Sequence, residues 1–147
     1  MITIIDFGMG NLGSIRNTLQ RQNIEATITS NPEDIIKAEK IILPGVGSFD
    51  RGMFNLKELG LLPALKASVL DNRTPILGIC LGMQLLSKRS EEGRLKGLQW
   101  IDAETVQFRF DNGRKIPHMG WNDIKPVKAD PITIGLAPDV TKRRPSL

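Results

Sequence analysis

Four short runs rich in β-branched and aliphatic residues, each leading into a glycine or proline, constrain the fold more than anything else in this chain. They are "ITIIDF" at 2–7, "EATITS" at 25–30, "KIILPGVG" at 40–47 and "TPILGIC" at 74–80. Between them lie stretches of helical character. Leu12, Ile15 and Leu19 share one face of a helix that follows "GMGNLG". Ser30, Pro32 and Glu33 form a capping-box start for a short helix through "EDIIKAE". "FNLKELGLLPALKASVLDNR", at 54–73, reads as helical. Strands apolar on both faces with helices between them belong to a parallel sheet covered on both sides, so an α/β fold is expected.

Beyond Arg94 the pattern changes. "LQWIDAETVQFRF" partly alternates, "DNG" at 111–113 is a hairpin signal, and "RKIPHMGWNDIKPV" is the expected return strand, giving an antiparallel β extension of the same domain. A length of 147 residues suits one globular domain, and no linker composition or internal repeat marks a second. The segment 138–147 is a basic tail without apolar periodicity. Its Lys142, Arg143 and Arg144 supply much of the formal net charge of +4, and no basic stripe interleaves with aromatics, which argues against a nucleic-acid partner. No apolar run reaches the ~18 residues that cross a bilayer. The N-terminus lacks the basic region and cleavage site of a signal peptide, so a cytoplasmic protein without a membrane segment is expected. A single cysteine forms no internal disulfide and no multi-cysteine metal site. Neither a metal nor a cofactor is expected.

Three glycine-rich loops compete for the chemistry. "GMGNLG", from Gly8 to Gly13, matches G-x-G-x-x-G between a strand and a helix, the place of a dinucleotide-binding fingerprint. The end of the second strand offers no acidic residue to hold a ribose, and Glu33 is accounted for by the helix cap. Glycines required by a tight turn explain the motif equally well. The second loop, "GICLG", is G-x-C-x-G at a strand-to-helix junction, a nucleophile elbow with Cys80 in place of serine. Flanking glycines suit a turn with no room for a Cβ, and a helix N-terminus favours the reactive thiolate. A buried structural cysteine is the alternative. Gln84 lies one helical turn on, on the same face. The third loop, "PGVGSF" at 44–49, ends the third strand and should open on the same crevice as Cys80. It could offer one backbone donor to an oxyanion while the Leu81 N–H offers another.

Taken together, "DFGMGNLGS", "ILPGVGSF", "PILGICLGMQLL" and "KIPHMGWN", in that order from Met1 to about Val127, resemble the glutamine amidotransferase subunits of imidazole glycerol phosphate synthases. These belong to the class I, triad-type amidotransferases. The resemblance implies a flavodoxin-like fold in which Cys80 attacks the side-chain amide of glutamine. It further implies that the amides of Gly47 and Leu81 line the oxyanion hole, and that Gly45, Val46, Gly82 and Gln84 help hold the substrate. Released ammonia would pass to a (β/α)8-barrel cyclase, the heterodimeric partner, in histidine biosynthesis. Asn11 and the segment His118, Met119, Gly120, Trp121 and Asn122 would face that partner.

The chain also departs from the family. The triad His and the Glu that follows it are expected in a later segment, whereas the one histidine here, His118, falls in the "PHMGW" motif. An incomplete domain, truncated or frame-shifted at its end, is therefore expected, with little activity alone. A non-catalytic piece that binds its partner, and a relative feeding ammonia to a surface-sugar pathway, are the alternatives to a glutaminase of histidine synthesis.

Overall fold

The computed structural model describes residues 1–109, 120, 126 and 131–133. The chain divides into two compact units, 1–107 and 108–147. In the second, the described residues include one short 3-10 turn, Pro131–Thr133.

The first unit is an α/β layer structure. Its strands β1 (Ile2–Ile5), β2 (Ala26–Thr29), β3 (Ile41–Leu43) and β4 (Ile76–Gly78) form one sheet in the order β2-β1-β3-β4, every pair parallel. β1 and β3 take the middle because they are the most continuously aliphatic. Ile4, Ile5, Ile41, Ile42 and Leu43 are all buried. The core continues through Phe7, Ile35, Phe49, Leu56, Leu61, Leu65, Leu81 and Leu85, contributed by loops and helices packed on the sheet. The strand order reverses between β1 and β3, the switch point at whose carboxyl side a site is expected in such sheets.

Helix α1 (Leu12–Arg21) is capped by Asn11, whose side chain accepts the Ser14 N–H at 3.1 Å. Leu12, Ile15 and Leu19 form its inner face, as their spacing predicts, yet each is only half-buried. Helix α2 (Pro32–Ile36) starts one residue later than the capping box implies. Asn31, not Ser30, is its cap and accepts the Glu33 N–H at 3.1 Å, while the Thr29 hydroxyl accepts the Asn31 N–H. With Asn31 taking the Glu33 N–H two residues on, Ser30 has no capping role.

The 54–73 stretch is not one helix. Helix α3 begins earlier, at Phe49, and ends at Glu58. Gly60 then adopts a left-handed φ of 66°, and α4 (Leu61–Lys66) starts afresh before widening into a π-turn over Ala67–Asp71. The break has a physical cause. Pro63 lacks an N–H and is tolerated only in a first turn, which a new start at Leu61 provides. The restart also seats Leu61 and Leu65 in the core.

β4 is shorter and wetter than its sequence implies, with Leu77 45% exposed and Ile79, just beyond its end, 38% exposed. It is an edge strand, so the expected cover on both faces does not extend to it among the described residues. Residues 98–109 contain no strand, only a bridge of Thr105 to Ser90. The rest of the expected antiparallel extension, and the tail 138–147, lie outside the described residues. No helix among the described residues is long and apolar enough to cross a membrane.

Candidate active site

Cys80 stands between β4 and α5 (Leu81–Leu85), with φ 53° and ψ −117°. That is the mirror image of ordinary extended backbone, a region a side chain enters only under compulsion. The compulsion is visible in the neighbouring contacts. A Cβ on Gly82 would fall on the carbonyl oxygen of Leu43, and one on Gly78 would lie 2.6 Å from the Met83 Cα. Strand β3 and helix α5 are thus packed backbone to backbone. The turn from β4 into α5 therefore has no slack, and it pushes the Cys80 side chain outward, where it is exposed. The hydrogen bonds follow: Ile79 N–H to Leu43 O at 3.0 Å, Gly82 N–H to Ile79 O at 3.0 Å, and the N–H groups of Met83 and Gln84 to Cys80 O at 3.0 and 3.2 Å.

The 44–47 loop lies against this elbow. Gly45 is buried, and a Cβ there would meet the Leu81 Cβ at 2.9 Å and the Gly82 nitrogen at 3.2 Å. The Leu81 N–H donates to Gly45 O across a long 3.3 Å. One of the two expected oxyanion donors is thus turned to the loop itself. Gly47 has φ 127°, and the Met9 methyl occupies the space beside it. Val46, between them, is 64% exposed. Gln84 is half-buried, and its Oε1 is buried with no hydrogen-bond partner.

The first glycine loop completes the floor. Gly8 and Gly10 take φ of 77° and 111°, and a Cβ on Gly10 would touch Gly45 at 3.4 Å. Asp6 accepts the Gly8 N–H at 2.9 Å, and the Asn55 amide donates to Phe7 O at 2.9 Å. Gly13 has open space around it. A dinucleotide fingerprint uses its third glycine for close helix-to-strand packing, so here the motif serves the turn and the approach to Gly45. Asn11 is exposed and caps α1. Of His118 to Asn122, Gly120 alone is described, exposed with φ 148°.

Sequence reasoning missed Asp50. This residue, in the first turn of α3, accepts the Arg94 N–H at 2.9 and 3.0 Å and the Leu95 N–H at 2.9 Å. The Leu95 and Arg94 amides hold its carboxyl below the usual aspartate value. Nothing in the local pattern flags an acidic residue in a helix's first turn as more than a favourable dipole partner. Among the described residues no cluster of His, Cys, Asp and Glu could hold a metal ion.

The family described as glutamine amidotransferase class-I matches residues 3–144. Over 125 residues the chain is 62% identical to imidazole glycerol phosphate synthase subunit HisH 2 of Methanococcus maripaludis, covering 85% of this chain and 62% of that protein. It is 48% identical to the subunit of the same name from Pseudomonas aeruginosa, over 92% of this chain and 67% of that one. The chain therefore spans roughly three-fifths to two-thirds of the relatives it matches. A crystal structure of a glutamine amidotransferase superposes with a TM-score of 0.61 at 20% identity, over 78% of this chain and 59% of the other, a likeness of fold. With the glycine-framed elbow at Cys80, the parallel sheet beneath it and a family match along nearly its whole length, the chain belongs to the class-I glutamine amidotransferases.

Proposed function

We propose that this chain forms one amidotransferase domain carrying the nucleophile of a glutaminase, which supplies ammonia for imidazole glycerol phosphate formation in histidine biosynthesis. The observation that carries the reading is the strained, outward-facing Cys80, fixed by Gly78 and Gly82 beside the 44–47 loop. Its thiolate attacks the side-chain amide carbon of glutamine, and the amide oxygen takes the negative charge. The amides of Gly47 and Leu81 stabilise that oxygen, which requires the long Leu81 to Gly45 bond to yield. The carbon–nitrogen bond then breaks as the nitrogen takes a proton from water, and ammonia leaves. Water hydrolyses the remaining thioester to glutamate and regenerates the thiol. Gly45, Val46 and Gly82 shape the slot, and Gln84 helps hold the substrate. Asn11 and His118 to Asn122 face the (β/α)8-barrel cyclase that receives the ammonia.

No histidine stands among the described residues, and the chain's one imidazole, His118, is assigned to the partner side. Among the described residues Cys80 has no imidazole to serve as its base, so acylation should be easier to detect than turnover. The test is labelling of Cys80 by a diazoketone analogue of glutamine, followed by mass spectrometry, with Cys80→Ala as control. Labelling that glutamine competes away supports the reading. Labelling no faster than by an asparagine-length analogue, and insensitive to glutamine, would sink it.

A further inference from the structure

Asp50 follows the 44–47 loop by only a few residues, in the first turn of α3, which leaves the carboxyl end of β3. What its carboxylate binds is distant in sequence: the N–H groups of Arg94 and Leu95, through contacts of 2.9 to 3.0 Å. α5 ends at Leu85, and after that helix the chain must come back to the start of α3 to reach Asp50. The returning segment is itself built as a turn. The Ser90 hydroxyl accepts the Glu92 N–H at 3.2 Å, and Ser90 O accepts the Gly93 N–H at 3.2 Å. Gly93 is required, because a Cβ there would collide with the Asp50 carboxylate. The two helices that follow β3 and β4 are also locked together, since Gly52 of α3 packs on Leu85 and Leu81 of α5. Charge-assisted bonds from one carboxylate to two successive amides fix both the position and the orientation of the turn.

We propose that Asp50 is a positioning residue for the glutamine site: its carboxylate clasps the Ser90–Leu95 turn to the start of α3 and holds it as one wall of the crevice that receives the substrate. The inference rests on the glutaminase reading above, and it assigns Asp50 no contact with glutamine. Its action is on the site's shape, so its loss should weaken recognition of a glutamine-shaped ligand and leave the intrinsic chemistry of the thiol alone.

The experiment uses the full chain and its Asp50→Ala and Asp50→Asn variants. Cys80 labelling is followed with the diazoketone analogue over a concentration series, separating half-saturation from maximal rate, and with iodoacetamide, which has no amino-acid end. Amide hydrogen exchange at Arg94 and Leu95 reports the clasp directly. Asp50→Ala should remove protection at those two amides and raise the half-saturating concentration about tenfold, with the iodoacetamide rate within about twofold of the parent. Asp50→Asn, which keeps one oxygen acceptor, should fall between. Loss of amide protection with unchanged half-saturation would overturn the proposal, as would an equal slowing by both reagents, which marks a merely structural role. Failure of glutamine to protect the parent chain is a separate result, read before any variant is made. It removes the glutaminase reading and this inference with it.

Discussion

Gly82 backs onto the carbonyl oxygen of Leu43 with no space for a side chain between them. The contact joins the end of β3 to the first turn of α5 and is what holds the elbow shut. Gly82→Ala forces backbone apart in a region without flexible atoms to yield. The expected cost exceeds the usual ~1–3 kcal/mol of overpacking. Urea unfolding should show it as a lowered midpoint, with Gly13→Ala, which has open space, as the tolerated comparison.

Cys80 is held where glycine would rest at ease. Cys80→Gly should therefore be more stable than Cys80→Ala by about 1 kcal/mol, because alanine keeps the strained Cβ. Equal unfolding midpoints for the two variants would show that the turn carries no strain.

Steady-state glutamine hydrolysis by this chain, alone or mixed with a cyclase, should be orders of magnitude below that of a complete nucleophile–base system. The measurement is ammonia release beside a Cys80→Ala control. Appreciable turnover that vanishes in the control would mean that a base has been misassigned, and His118→Ala would be the next variant to assay.

The Asn55 side chain donates to Phe7 O from the middle of α3 and ties the first glycine loop to that helix. Asn55→Ala leaves this part-buried carbonyl without a partner. A loss of about 1–2 kcal/mol is expected, measured by thermal or denaturant unfolding. The amides of residues 8 to 10 should exchange faster.

Acid should weaken the fold through carboxylates that are better off charged in the native state. The N-terminal ammonium, 2.6 Å from Glu39, and Arg89, 2.7 Å from Glu104, lower the values of both glutamates from 4.5. A lowered folded value means that the unfolded chain takes up protons first. The stabilisation is therefore complete above the unfolded value near 4.5 and fades as pH falls through the lower folded value. Unfolding midpoints measured down this range should fall less steeply in a Glu39→Gln, Glu104→Gln double variant.

The strand–helix alternation was legible because each apolar run carried its own stop signal, and the lone thiol between two glycines was legible because few turns demand that spacing. Other features were not, for reasons that follow from range. The break at Gly60 depends on how Leu61 and Leu65 reach a core built by distant strands, whereas 54–73 is helix-favouring at every local step. The shift of the cap from Ser30 to Asn31 is a choice between two competent residues, decided by the register of β2 and the Thr29 hydroxyl. Asp50 and its grip on Arg94 and Leu95 join segments whose proximity is a product of the fold, so no local pattern announces them. The half-exposed face of β4 escaped a reading in which apolar meant covered.

The meeting of Leu43 with Gly82 also makes the presentation of the thiol depend on the sheet. Neither the tight turn nor the outward thiol can exist before β3 and β4 have paired, because the local sequence around Cys80 prefers other conformations and only that long-range contact compels this one. On a ribosome or in a refolding tube, Cys80 is an ordinary thiol on a loose chain until the sheet closes beneath it. Its presentation as a nucleophile is thus a built-in readout that the parallel sheet has assembled correctly.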